Sequence, residues 1–72
     1  MKLLQALIHA GRFSVQPTYS LFHTNSQGIG EPCLLSHDAQ AIVDKFKEQA
    51  LLPSTFGMEV RCNGVRVEFT GT

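Results

Sequence analysis

The 72-residue chain has no tryptophan, one tyrosine and two cysteines. Two cysteines are too few for the dense disulfide framework of a small secreted domain. Cys33 and Cys62 therefore read as reduced thiols, and the expected location is the cytoplasm; whether the two could pair depends on where their Cβ atoms fall, which spacing does not fix. Charge of either sign is also scarce, six basic against six acidic residues, for a net of zero. The basic excess that marks a nucleic-acid or anionic-membrane surface is missing, which argues against nucleic acid as the partner. No run approaches the roughly 18 apolar residues of a membrane-spanning helix. The opening stretch to Ala10 is interrupted by Gln5 and His9 and is too short for an export signal.

What is present suffices for a core. Apolar residues make up 43%, among them five Phe, eight Leu, five Val and three Ile, a content that excludes a disordered chain. At this length one domain is expected, near the size where a single core barely suffices. Zero net charge leaves self-association unopposed.

Ser36–Leu52 carries the clearest helical signal. With Ala39 at the top of a wheel advancing about 100° per residue, Ile42, Val43, Phe46 and Ala50 fall within about 60° of it. Gln40, Asp44, Lys45, Lys47 and Glu48 occupy the flanks and back. Ser36 stands where an N-cap hydroxyl is wanted, Asp38 adds a carboxylate at the positive end of the helix dipole, and Pro53 stops the helix. An isolated helix this long is marginal in water, so its apolar stripe must pack on something.

Met58–Phe69 is the second signal. Asn63-Gly64 supplies the two positive φ angles of a type I′ turn. The implied register sets Cys62 opposite Val65, Val60 opposite Val67 and Met58 opposite Phe69, all on a core face. Glu59, Arg61, Arg66 and Glu68 then share the solvent face, with Glu59–Arg66 and Arg61–Glu68 as diagonal pairs. The central helix is expected to cover the apolar side.

The remaining chain fills in around these. Leu3, Leu4, Leu7 and Ile8 recur at helical spacing and predict a short helix over residues 2–10, with Gly11 as its left-handed terminator; Leu4, Ala6, Ile8 and Ala10 also alternate, which leaves a strand open. Phe13 and Val15 suggest a short strand cut by Pro17, and Thr18–Thr24 a further strand. Asn25–Pro32 reads as a loop, Cys33–Leu35 as an extended entry to the helix, and Ser54–Gly57 as a link.

No constellation specifies chemistry. Cys33 and His37 are four apart, and His9, His23 and Cys62 could complete a soft ligand set, but no CxxC or HxxxH spacing occurs. Cys33 beside a helix start with His37 as base lacks a third member. Gly28–Pro32 is glycine-rich without the Lys-Ser/Thr of a phosphate loop. No catalytic residue, cofactor or metal is expected.

The expected fold is α+β, a three- to four-stranded antiparallel sheet with the main helix packed on one face and a short N-terminal helix. The expected function is that of a non-enzymatic binding module, a small regulatory, inhibitory or accessory protein acting through protein contacts. Leu34 and Leu35 point to opposite sides if extended, and Leu51 and Leu52 fall about 120° and 220° around the wheel from Ala39. These are more large aliphatic residues than one helix-on-sheet contact can bury. A homodimer or a protein partner is expected, with Leu34, Leu51 or Leu52 at the contact. The alternative is a small DNA- or RNA-binding regulator resembling a winged helix, in which Arg61, Arg66, Lys45 and Lys47 meet phosphates. Glu59 and Glu68 beside the arginines weigh against it.

Overall fold

The computed structural model describes residues 2–24, 30–52 and 57–70. In chain order these form α1 (Lys2–Ala10), β1 (Tyr19–Thr24), β2 (Gly30–Ser36), α2 (Ala39–Ala50), β3 (Gly57–Cys62) and β4 (Val65–Thr70). The four strands make one antiparallel sheet in the order β2-β1-β3-β4. This is the expected α+β architecture with the fourth strand present. Both helices lie on one face: α2 against β1 and β2, α1 against α2 and β4. The covering of the hairpin differs from expectation, since α2 sits mainly over the other half of the sheet and α1 reaches β4.

The core is built by period-2 alternation meeting two helical stripes. Tyr19 and Leu21 of β1 and Met58, Val60 and Cys62 of β3 face inward onto Leu3 and Leu7 of α1 and Ile42 and Val43 of α2. Leu7, Leu21, Ile42, Val43 and Val60 are fully buried; burial of each stabilises by about 1.5–3 kcal/mol.

α2 is shorter than expected. Ser36 ends β2, and Asp38 is the N-cap, its Oδ1 accepting from Gln40 N at 3.0 Å. The Ser36 hydroxyl instead accepts from Asp38 N at 3.0 Å, holding the capping residue in place. Leu51 caps the C-terminus, so Leu51 and Leu52 lie beyond the helix; Pro53, the expected stop, is outside the described residues. The buried arc is turned towards Ile42: Gln49 is buried, Phe46 half-buried and Ala50 exposed.

Gly11 follows α1 as expected but not in a left-handed conformation, because among described residues only Asn63 and Gly64 have positive φ. It is glycine for want of space. A Cβ there would stand 2.7 Å from the Tyr19 hydroxyl and 2.9 Å from Pro17 Cβ and Cγ. The strand expected around Phe13 and Val15 does not form: the segment turns, and both side chains are exposed. Gly30–Pro32, read as loop, belongs to β2, and Gly57, read as link, opens β3. The loop expected over 25–29 and the link over 54–56 lie outside the described residues.

The I′ turn forms as expected, with φ 53° at Asn63 and 84° at Gly64. The strand register does not. Cys62 pairs with Val65 and Arg61 with Arg66, but the next pairs are Val60 with Glu68, Glu59 with Phe69 and Met58 with Thr70. Val67 is the extra residue of a β-bulge, and every side chain after it changes face. Val67 packs against the core and Phe69 does not. A second bulge, at Cys33 in β2, turns that side chain onto the core as well.

Candidate functional site

The face of the sheet away from the helices is built from residues that alternate with the core. Directly paired residues share a face, so one row across it is Leu35, Ser20, Arg61 and Arg66, and the next is Pro32, Phe22, Glu59 and Phe69. Glu59 is the centre of these rows. Arg61 donates from Nε to Oε1 at 2.8 Å, with a terminal nitrogen 2.6 Å from the same oxygen, and Arg66 donates from Nε to Oε2. The Arg61 guanidinium lies over the Phe22 ring at 4.5 Å and that of Arg66 over the Phe69 ring at 4.7 Å. Each arginine is thus held at two points, by a carboxylate oxygen and by an aromatic face.

Burial and charge act against each other at Glu59. Its side chain is only 7% exposed, and burial alone pushes a carboxyl upward. Hydrogen bonds from Arg66 and Arg61, and the charge they carry, outweigh that and hold the group below its ordinary value. Glu59 stays ionised, and two guanidiniums share one carboxylate. Among the described strand residues no other charged side chain lies on this face, so it carries an excess of one positive charge. The Arg66 side chain is 61% exposed, and the apolar neighbours are open too, Phe69 at 45% and Leu35 at 65%.

Of the expected contact residues, Arg61 and Arg66 are brought together here. Lys45 and Lys47 are not: both are on α2, behind the sheet, where Lys45 pairs with Glu48 at 3.3 Å. Glu68 does not join the arginines either, since the bulge turns it away and its carboxylate accepts from Phe69 N. Leu34 is half-buried against the core. Leu51, 85% exposed, and Leu52 stand free at the end of α2. The open face adds Phe22, Phe69 and Leu35. Phe22 was legible, because alternation within Tyr19–Thr24 puts it opposite the core-facing Tyr19 and Leu21. Phe69 was hidden by the bulge.

Elsewhere the potential ligand residues stay apart. No group of three or more His, Cys, Asp or Glu side chains among the described residues could hold a metal. Both cysteines are free, and Cys62 is buried beside Tyr19, where burial raises the ordinary value of its thiol. The Tyr19 hydroxyl is raised by burial and by Cys62. His37 donates from Nδ1 to the Pro17 carbonyl at 3.1 Å. No helix among the described residues is long and apolar enough to cross a membrane. Comparison with protein-family models, with curated proteins and with solved structures returned no match.

Proposed function

We propose that the chain is a non-enzymatic binding module, a regulatory or accessory protein that engages a protein partner through the open face of its sheet. The observation that carries this is the pair of arginines fixed over Phe22 and Phe69 by Glu59. Arginine and aromatic side chains dominate the energetics of protein contacts, and holding them in place beforehand reduces the ordering cost of association. A second copy is the simplest such partner; the exposed Leu51 and Leu52, at the end of α2 and apart from the open face, offer it a separate apolar contact. Free thiols fit a reducing cytoplasm.

The second reading, a small DNA- or RNA-binding regulator, draws on the same two arginines and on the exposed Phe69. Single-strand platforms do combine aromatic rings with cationic side chains. Here Lys45 and Lys47 are on the other side of the molecule, and the face has little charge with which to follow a phosphate backbone.

The test is capture from source-cell lysate, with and without nuclease, by wild type and by a Leu35→Ser/Phe69→Ser variant. A protein retained by wild type, insensitive to nuclease and lost with the variant, is the expected result. Capture that nuclease abolishes would favour the second reading, and capture indifferent to the variant would refute the assignment to this face. Sedimentation equilibrium at micromolar concentrations reads self-association directly.

A further inference from the structure

We infer that the open face takes an extended acidic segment of a partner protein, in which one carboxylate docks on Arg66 and Arg61 and neighbouring apolar side chains rest on Phe69 and Leu35. This rests on the binding-face proposal and adds the chemistry of the occupant. Charge complementarity carries it. Glu59 is almost fully buried, and it is one anion set against two cations. A second carboxylate from outside would close the balance.

The guanidinium geometry suits that ligand. Arginine presents its donors as a rigid planar fork that matches a carboxylate in bidentate fashion. Among the described contacts Arg66 commits only its Nε, leaving its terminal N–H groups for a ligand. Its plane is already set by Phe69 and its stem by Glu59, so docking freezes little that is not frozen. Apolar replacements of ion networks are often as stable, so stability alone is a weak reason for an Arg–Glu–Arg arrangement. What it does on an open face is hold two forks at fixed positions.

Dimensions agree. Four strands span about 14 Å between outer strand axes, which four or five residues of extended chain cross. Nucleic acid fits less well, because its affinity comes from neutralising several phosphates in succession. This face has a surplus of one charge, and the lysines of α2 cannot add to it.

The experiment is fluorescence anisotropy on the whole chain with three labelled probes: an octapeptide alternating glutamate with leucine and phenylalanine, the same peptide with glutamine for glutamate, and oligothymidylate. The acidic peptide should bind at least tenfold more tightly than its glutamine counterpart, with affinity falling as salt rises. Arg66→Ala should abolish that preference, while Lys47→Ala leaves it intact. NMR of wild type supplies a readout independent of any variant: the side-chain Nε–H signals of Arg61 and Arg66 should shift with the acidic peptide and not with the neutral one. Equal affinity for the two peptides, tighter binding of oligothymidylate, or absence of binding to all three would overturn the inference. So would self-association that Phe69→Ser abolishes and that excludes the acidic peptide. If a protein is captured through this face and the acidic peptide is not preferred, the binding-face proposal stands and the choice of occupant falls.

Discussion

Asn63 holds the molecule together in a way that a turn residue usually does not, and its substitution should cost more than a turn alone. Its backbone N donates to the Thr18 carbonyl at 2.7 Å. Its Oδ1 accepts from Thr18 N at 2.9 Å and its Nδ2 donates to Ser14 Oγ at 2.9 Å. It also occupies a left-handed conformation, with φ 53°. Two side-chain hydrogen bonds contribute about 0.5–1.5 kcal/mol each, taken at the low end because all partners are exposed. Placing alanine in the left-handed region costs about 1–2 kcal/mol. Asn63→Ala should therefore lose about 2–3 kcal/mol, or about 10–20 °C in Tm for a domain this small. Asn63→Gly separates the two contributions. Glycine adopts the positive φ without strain, so what it loses is the two bonds and some unfolded-chain entropy, about 1–2 kcal/mol. Gly64→Ala isolates the backbone, since a Cβ there meets nothing within 4 Å, and should cost about 1–2 kcal/mol. Urea unfolding followed by circular dichroism measures all three. If Asn63→Gly matches wild type while Asn63→Ala is destabilised, the bonds to Ser14 and Thr18 contribute nothing and only the turn matters.

Three further perturbations test other parts of the structure. The carboxyl of Glu59 is held below its ordinary value in the fold, so its contribution is whole above the unfolded value of about 4.3 and is lost as pH falls through the folded value. Urea midpoints of wild type and Glu59→Gln should differ near neutrality and converge in acid; parallel curves would mean the carboxylate has no linked stability. Gly11→Ala should cost about 1–3 kcal/mol through crowding against Tyr19 and Pro17, and Tyr19→Phe in the same chain should recover part of it; an unchanged melting temperature for the single variant would contradict the close approach. Ile42→Ala, at a fully buried site, should cost about 2–5 kcal/mol, and Phe46→Ala, half-buried, should fall below the 3–5 expected of a core phenylalanine. The reverse ranking in denaturant would place the helix in the wrong rotation.

The two elements with strong local signals, α2 and the β3–β4 hairpin, were legible because periodicity and turn chemistry act within a dozen residues. Asn63-Gly64 specified its turn outright. The start of β2 was not legible, since Gly30-Glu31-Pro32 carries no strand preference and pairs only because β1 lies alongside; Cys33–Leu35, read as extended, does lie in the strand. Ser36 and Asp38 are both good capping residues, and the choice fell to Asp38 because Ser36 is held in the sheet. The bulge at Val67 interrupts an unbroken alternation from Val65 to Phe69, so nothing local marks it; its effect is to keep Val67 against the core and turn Phe69 away from it. The candidate site was half visible for the same reason. Arg61, Arg66 and Glu59 were placed together by alternation from the Asn63-Gly64 turn, whereas the slip after Val67 moved Phe69 to the open face and replaced the Arg61–Glu68 diagonal with a shared Glu59.

The strand order also dictates how the chain must assemble. β1 pairs with β2 and β3 with β4, each with its neighbour in the chain, but the middle of the sheet joins β1 to β3. Tyr19 meets Cys62 across that seam, and Asn63 spans 45 residues to reach Thr18. Local pairings close short loops cheaply, while a distant one must first overcome the entropy of a long closure. The expected rate-limiting event is then the meeting of the two locally paired ribbons along Leu21 and Val60. In a chevron plot Leu21→Ala and Val60→Ala should slow refolding more than they hasten unfolding, and the contacts of Asn63 with Ser14 and Thr18 should already be present when the barrier is crossed.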